Sequence, residues 1–148
     1  MKIRLATLDD IDALVEFNQG IALETEGRML ELDALHQGVK RFLERERYGF
    51  YTVAEIDGKV VGSLMITYEW SDWRNGVVWW VQSVYVTVEH RRKGIYTALY
   101  KNIQRLADES GEVREFRLYV ERHNEIAQTT YRNLGMRESD YRIFEAPT

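Results

Sequence analysis

The junction between a predicted strand and a predicted helix constrains this chain more than any other feature of its sequence. Strand-forming residues run to Val88, the basic residues Arg91, Arg92 and Lys93 follow shortly after, and a helical pattern begins after Gly94. The first turn of a helix leaves backbone N–H groups without partners and carries the positive end of the helix dipole. We therefore expect an anion, such as a phosphate group, to bind at this junction.

Composition narrows the class of protein. A chain of 148 residues is long enough to bury a core, and we expect a single domain over residues 1–148. The net charge of −4 disfavours general binding to nucleic acid. Cysteine is absent and the three histidines are scattered, so we expect no metal site. No apolar stretch is long enough to cross a bilayer, and we expect a cytoplasmic protein with no membrane partner.

Apolar periodicity in the first third of the chain predicts one strand and two helices. The strand covers residues 2–6, and Thr7 with Asp10 resembles a capping box that opens the first helix. Asp33 is the predicted cap of the second helix. Residues 24–27 interrupt the helical pattern between them.

The rest of the chain predicts a mixed sheet. The Asp57-Gly58 pair supplies the positive φ of a two-residue hairpin turn between two strands. The remaining predicted elements are a strand at 77–88, a helix at 94–110, a strand at 116–120, a helix at 124–134, and one or two strands within 136–144. A hairpin followed by a β-α-β unit indicates a fold of the α/β class, with a mixed α+β sheet flanked by helices.

Two motifs at this spacing carry a family resemblance. The first is Arg91-Arg92-Lys93-Gly94-Ile95-Tyr96, between strand and helix; the second comprises Leu118-Tyr119-Val120, Asn124, Ala127, Tyr131 and Leu134-Gly135-Met136. Together they resemble the GCN5-related N-acetyltransferase (GNAT) superfamily. The resemblance implies a predominantly antiparallel mixed sheet of six to seven strands, flanked by about four helices and splayed between the fourth and fifth strands.

The resemblance also implies acetyl-CoA as the cosubstrate. The backbone of the β-α junction would hold the pyrophosphate, the preceding strand would pair with the pantetheine arm through a bulged and splayed stretch, and Asn124 would bond the same arm. The expected cofactor-binding residues are Val84, Tyr85, Val86, Arg91, Arg92, Lys93, Gly94, Ile95, Tyr96, Thr97, Asn124, Ala127 and Tyr131. Tyr96 stands where the family usually has glycine or alanine, so its side chain must point away from the phosphates.

The resemblance assigns a general acid but no general base. Tyr131 would protonate the departing CoA thiolate, because a phenol is a suitable acid for a thiolate of ordinary pKa. The glutamate that many family members carry on the central strand is replaced here by Trp80. We expect Glu24 or Glu69 to act as the base, ahead of the neighbouring carboxylates Glu26 and Asp72.

Aromatic residues are dense around the central hairpin. They include Tyr68, Trp70, Trp73, Trp79, Trp80 and Tyr85. The excess over one small core could line a pocket for a cationic or aromatic amine, or form a homodimer interface, since both kinds of surface favour tryptophan. The sequence does not separate these two interpretations.

The sequence therefore predicts an acetyl-CoA-dependent N-acetyltransferase. We expect it to move an acetyl group by direct transfer to a primary amine, with a small cationic molecule as the favoured acceptor. The alternative is a non-catalytic acyl-CoA sensor on the same fold, which the absence of a glutamate at Trp80 favours. A nucleic-acid-binding role for the basic junction is disfavoured by the acidic net charge.

Overall fold

The computed structural model describes residues 1–148 and contains a five-stranded sheet with four α-helices. In chain order the elements are β1 (Lys2–Leu5), α1 (Ile11–Glu26), α2 (Leu32–Leu43), β2 (Gly49–Ile56), β3 (Lys59–Ser71), β4 (Gly76–Val86), α3 (Ile95–Ser110), β5 (Val113–Arg117) and α4 (Glu125–Asn133). The strands lie side by side in sequence order. The first four pair antiparallel, and β4 pairs with β5 in parallel. None of the helices has the length and apolar character needed to cross a membrane.

The predicted fold class is confirmed, but the predicted number of six to seven strands is wrong. The sheet has five strands because residues 136–144 form none. A strand exists only where a neighbour accepts and donates its ladder of hydrogen bonds. Beyond Met136 the chain makes no backbone–backbone hydrogen bond, and every residue from Arg137 onward is exposed.

Several predicted boundaries also move. The predicted strand at 77–88 is β4, which ends earlier, at Val86. The predicted strand at 116–120 is β5, which ends earlier, at Arg117. The predicted break near residues 24–27 is the end of α1, which continues to Glu26 before Gly27 adopts the left-handed conformation. Glu31, rather than Asp33, caps α2 by accepting from two backbone N–H groups.

Alternation along the strands places one apolar set on each face of the sheet. Helix α3 covers one face, where its buried residues Ile95, Leu99 and Ile103 pack with Leu64 and Ile66 of β3. Helices α1 and α2 cover the other face, where a smaller buried cluster forms from Leu14, Val39, Tyr51 and Val53. The sheet is therefore the middle layer between two helical layers, and α3 is held by the larger core.

The sheet opens at one end of β4. The β3–β4 register shifts between Ser63 and Met65, opposite Ser83, whose φ of 47° is positive. This is a β-bulge, which bends and twists a strand locally. Pairing between β4 and β5 stops at Trp80 and Arg117, so residues 81–86 have no partner on the β5 side. The expected splay between the fourth and fifth strands is present.

The start of α1 is anchored to β1 by charge. The Thr7 N–H donates to Asp10 at 2.8 Å, which completes the predicted capping box. The guanidinium of Arg4 donates to both oxygens of Asp10 and to Glu55. The hydrogen bonds from Arg4 hold the pKa of Asp10 below its usual range. The ion pair between Arg4 and Asp10 thus fixes β1 relative to the start of α1.

The core beneath α3 should be sensitive to truncation. Leu99 is 0% exposed, so Leu99→Ala removes methyl groups that the surroundings cannot replace. We expect the free energy of unfolding to fall by about 2–5 kcal/mol, with an unchanged m-value, in urea denaturation. The control Leu23→Ala, at a residue that is 55% exposed, should change stability by about 0.5 kcal/mol or less. Equal effects at the two positions would contradict the packing described here.

The start of α3 depends on glycine for its backbone conformation. Gly94 has φ of 78°, and a Cβ built on it meets no atom within 4 Å, so only the conformation is restrictive. We expect Gly94→Ala to destabilise the protein by about 1 kcal/mol.

Gly38, within α2, also has open space around it but no positive φ. Gly38→Ala should therefore stabilise by about 0.5–1 kcal/mol. Urea denaturation of both variants checks the opposite signs, and a stabilising Gly94→Ala would refute the left-handed conformation.

Candidate active site

The start of α3 presents a row of free backbone donors. No N–H group of residues 92–97 donates to an acceptor within the chain, and the first α3 bond runs from the Ala98 N–H to the Gly94 oxygen at 3.0 Å. Arg92 and Gly94 both have positive φ, at 62° and 78°, which folds the loop into a tight concave turn. Free amides in such a turn, at the positive end of a 16-residue helix, form an anion site.

The three basic residues of the junction have different surroundings. Arg92 and Lys93 are exposed and form no ion pair. Arg91 instead turns back toward the sheet: its Nη2 donates to both oxygens of Glu24, at 2.7 and 2.9 Å, and its Nε donates to the Val86 oxygen at 2.9 Å. The hydrogen bond to Glu24 raises the pKa of Arg91. In this arrangement all three cations are exposed, but only Arg92 and Lys93 lie beside the free amides without an acidic partner.

The end of β4 leads into this turn. Tyr85 and Val86 pair with Ser63 and Gly62 of β3, while β5 offers no partner on the other side. The Tyr85 ring stacks on Phe17 of α1 with centroids 5.0 Å apart. The backbone at Val84, Tyr85 and Val86 therefore borders the gap between β4 and β5, as the sequence predicts, while the Tyr85 side chain packs against α1.

The Tyr96 side chain points away from the α3 turn. Its ring packs against Tyr100 and Tyr131, with centroids 6.2 and 5.9 Å away. Its hydroxyl is buried without a hydrogen-bond partner, and burial raises its pKa. The side chain thus points into the protein, which leaves the Tyr96 N–H free in the α3 turn.

Tyr131 reaches this region from α4. It lies edge-on to the Tyr96 ring, and its hydroxyl donates to no group in the chain. Burial raises the pKa of Tyr131. The hydroxyl therefore stays protonated at neutral pH, as a proton donor must. At the other end of the same helix, Asn124 accepts from the Ala127 N–H at 3.2 Å, which makes Asn124 the helix cap.

The two carboxylates predicted as general bases lie in different places, and each is held by an arginine. Glu24 meets Arg91 beside Tyr85. Glu69 accepts from Arg117 at 2.9 Å and pairs across the sheet with Val78. Arg117 is the last β5 residue that pairs with β4, so Glu69 lies beside the point where the two strands part, whereas Glu24 lies at the other end of the gap, beside the α3 turn. The structure does not bring the two carboxylates together.

The other two carboxylates are also engaged. Glu26 lies 3.9 Å from Arg28, and Asp72 accepts from the Trp73 N–H in the turn after β3. No cluster of three or more His, Cys, Asp or Glu side chains is placed to hold a metal ion.

The aromatic residues separate into groups. Trp79 is buried in the α3-side core with Phe50 and Phe116. Trp80, on the opposite face, packs with Tyr119 at 6.1 Å. Trp70 and Trp73 are 62% and 91% exposed, at the hairpin end farthest from the bulge. A cavity of about 380 Å³ lies there, lined by Tyr68, Trp70, Val77, Trp79, Ser110, Glu112 and Val113. Of the four tryptophans, Trp80 lies nearest in sequence to the open end of β4.

Two residues that shape this region were not predicted. Ser83 forms the bulge, and nothing in its sequence context signals a positive φ. Gly20 lies within α1, where a Cβ would approach the Tyr85 ring to 2.8 Å. A glycine inside a helical pattern is a recognised sign of close packing, so Gly20 could have been found from the sequence.

Comparison with known proteins agrees with this geometry. The model of the Acetyltransferase (GNAT) family matches residues 15–136. A solved structure of a possible acetyltransferase from Clostridium difficile 630 is similar to this chain, with a TM-score of 0.93 and 47% identity, and covers 99% of this chain and 97% of its own. An N-alpha-acetyltransferase from Sulfurisphaera tokodaii is 29% identical over an alignment 146 residues long, which covers 93% of this chain and 80% of that protein.

A more distant structure shares the fold. Aminoglycoside N-acetyltransferase AAC(6')-Iy in complex with CoA has a TM-score of 0.76 at 17% identity, with 99% of each chain covered. The family match includes the β4–α3 turn and Tyr131. It confirms the resemblance and the prediction of an acyltransferase. The chain belongs to the acetyltransferase (GNAT) family.

Proposed function

We propose that this protein transfers the acetyl group of acetyl-CoA directly to a primary amine, with a small cationic molecule as the acceptor. The observation that carries the proposal is the row of free N–H groups at residues 92–97, placed where β4 parts from β5. The free N–H groups suit a diphosphate, and the unpaired backbone of β4 suits the amide-bearing pantetheine arm of the same molecule.

The diphosphate would lie in the α3 turn. The N–H groups of Arg92, Lys93, Gly94, Ile95, Tyr96 and Thr97 would donate to its oxygens, and the helix dipole favours its charge. The exposed side chains of Arg92 and Lys93 would add two cations. Arg91 would contribute from the Glu24 side of the turn.

The pantetheine arm would complete the sheet at its open end. The backbone of Val84, Tyr85 and Val86 would pair with its amides, as an extended peptide adds to a strand edge. Asn124 would bond the same arm through its side-chain amide, which makes no hydrogen bond in the structure apart from the Oδ1 cap to Ala127. This geometry would fix the thioester next to Tyr131.

Tyr131 would act as the general acid. After the amine attacks the thioester carbonyl, its nitrogen gives a proton to the general base, the C–S bond breaks, and the Tyr131 hydroxyl gives its proton to the sulfur. The Tyr131 phenolate then recovers a proton from solvent. A thiol has an ordinary pKa of about 8.5, so the thiolate accepts a proton in the neutral range. Burial keeps the hydroxyl protonated until then. Transfer is direct, and the chain contains no cysteine that could form an acyl-enzyme.

We propose that the general base is one of the two predicted carboxylates, Glu24 or Glu69. The two carboxylates border the gap at opposite ends: Glu24 contacts Arg91 beside the end of β4, and Glu69 contacts Arg117 where β4 and β5 part. Each carboxylate now accepts from an arginine, which occupies lone pairs that a water-relayed proton would need. That pairing, with Trp80 in place of a strand glutamate, supports the alternative function of an acyl-CoA sensor without turnover.

The identity of the acceptor, the cellular compartment and the oligomeric state are also proposals. A peptide N-terminus is a second candidate acceptor, because the similar protein from Sulfurisphaera tokodaii is an N-alpha-acetyltransferase. We place the protein in the cytoplasm and infer a homodimer.

Binding and turnover distinguish the enzyme from the sensor. We expect calorimetry to show acetyl-CoA binding, and thiol detection to show CoA release with at least one amine from a panel of polyamines, aminosugars, amino acids and short peptides. Tyr131→Phe should lower kcat by about 10²- to 10⁴-fold and leave acetyl-CoA affinity nearly unchanged. The control Tyr48→Phe, at an exposed tyrosine of another surface, should change neither quantity.

The possible outcomes separate clearly. Absence of acetyl-CoA binding would refute the whole proposal. Binding without thiol release for every amine would favour the sensor. Full activity of Tyr131→Phe would remove this residue from the mechanism while leaving the transferase function in place.

Comparison of Glu24→Gln with Glu69→Gln tests the base. If Glu24 relays the amine proton, its variant should lose about 10²-fold or more in kcat at neutral pH and recover at alkaline pH, where the amine is already deprotonated. Glu69→Gln should retain the parent pH–rate profile. The reverse pattern would move the role to Glu69, and two unchanged profiles would indicate transfer without a carboxylate base.

A further inference from the structure

The cavity of about 380 Å³ at the end of the β3–β4 hairpin has no part in the function proposed above. Its volume is within the range typical of small-molecule sites, about 300–1,000 Å³. The cavity reaches Ser110 in the last turn of α3, whereas the free amides lie at the first turn of the same helix. A helix of 16 residues is about 24 Å long. The cavity is therefore separate from the proposed diphosphate site.

Two adjacent cross-strand pairs on the α3 face of the sheet form one wall of the cavity. Tyr68 pairs with Trp79, and Trp70 pairs with Val77. The rings of Tyr68 and Trp79 are tilted by 42°, with centroids 6.2 Å apart. Trp79 is buried, whereas Tyr68 and Trp70 are 42% and 62% exposed. Three aromatic rings thus border the cavity, one of them buried and two accessible to solvent.

The charged groups at the cavity favour a cation. Glu112 lines it, is exposed, and uses neither side-chain oxygen in an ion pair or hydrogen bond. Ser110 ends α3, and the end of a helix carries the negative pole of its dipole. Burial raises the pKa of the Tyr68 hydroxyl, and the nearby carboxylate of Glu46 raises it further. No lysine, arginine or histidine lines the cavity to balance these negative charges.

Aromatic rings with few free hydrogen-bond acceptors suit an alkylated ammonium ion. The face of a tryptophan or tyrosine ring attracts a cation, and the cation–π contacts within the chain are at Tyr48 and Tyr85 instead. A primary ammonium brings three N–H donors that need acceptors. The Ser110 hydroxyl already donates to the Ala107 oxygen and accepts from the Glu112 N–H. A quaternary ammonium has no N–H group to satisfy, so this cavity suits it better.

We propose that the cavity binds a free small molecule that carries a quaternary ammonium group, through cation–π contacts with Tyr68, Trp70 and Trp79. Glu112 would supply the opposing charge. A free molecule is the matching occupant because the volume is that of a small-molecule site. A quaternary nitrogen has no lone pair and cannot accept an acetyl group, so this ligand is not the amine of the proposed transfer.

An NMR titration with choline tests the proposal, with 3,3-dimethylbutan-1-ol as its neutral isostere. The chain has four tryptophans. Choline should shift the indole N–H signals of Trp70 and Trp79 and leave that of Trp80, on the opposite face, in place. It should bind at least about 10-fold more tightly than the neutral alcohol, because only the cation is attracted to the ring faces. Equal affinities for the two compounds, or absence of choline binding, would overturn the proposal.

Substitution of Trp70 separates the aromatic contribution from apolar contact. Trp70→Leu should weaken choline binding about 10-fold or more, as measured at the Trp79 signal, and Trp70→Phe should lose less because it keeps a ring face. Trp73→Leu is the matched control, at a residue of the same hairpin that is 91% exposed and outside the cavity. It should bind choline as the parent does. Unchanged choline affinity in Trp70→Leu would contradict the assigned site.

Two further measurements locate the source of the ligand and the independence of the site. We expect a short peptide containing trimethyllysine to bind less tightly than choline, and the reverse order would overturn the assignment to a free molecule. Trp70→Leu should retain the circular dichroism spectrum and the acetyl-CoA affinity of the parent. Choline binding by a protein that failed to bind acetyl-CoA would support this site and refute the proposed transferase.

Discussion

The parting of β4 from β5 after the Trp80–Arg117 pair is the constraint on which the rest of the structure depends. A parallel ladder that continued to Val86 would fill the space and satisfy the backbone of both strands. The bulge at Ser83 turns β4 away instead, and the chain after Arg117 leaves the sheet toward α4. The gap lies directly before the α3 turn, so unpaired strand backbone and unpaired helix amides border one region.

Packing of the hydrophobic core, and not interactions within the candidate site, fixes the positions of the gap and the α3 turn. Helix α3 is fixed by fully buried residues such as Leu99 and Ile103, which lie at a distance from its first turn. Arg91 joins the turn to α1 through Glu24, and the Tyr85 ring reaches α1 through Phe17. Strain and unsatisfied donors are therefore confined to a few residues, while the elements that carry them rest on ordinary packing.

The sequence was informative where local physics decides the outcome. The hairpin at Asp57-Gly58, the helix start at Gly94 and the capping box of Thr7 and Asp10 each depend on a few neighbouring residues, and each is confirmed. The first family motif lies at the turn that carries the free amides. Prediction was less successful where distant residues decide: the partners of Glu24 and Glu69 are arginines 67 and 48 positions away, and periodicity carries no information about such pairs.

The error in the strand count has the same physical origin as the open site. Whether a β-prone segment becomes a strand depends on an available edge, which no local pattern reveals. The chain contains three such stretches of edge: residues 81–86 of β4, which face the gap, and the outer sides of β1 and β5. A segment that pairs with no edge remains outside the sheet, as residues 137–144 do after Met136. The same rule leaves the backbone of residues 81–86 without a partner on one side, because β5 ends at Arg117. One requirement of strand pairing therefore explains both the open end of β4 and the absence of a sixth strand.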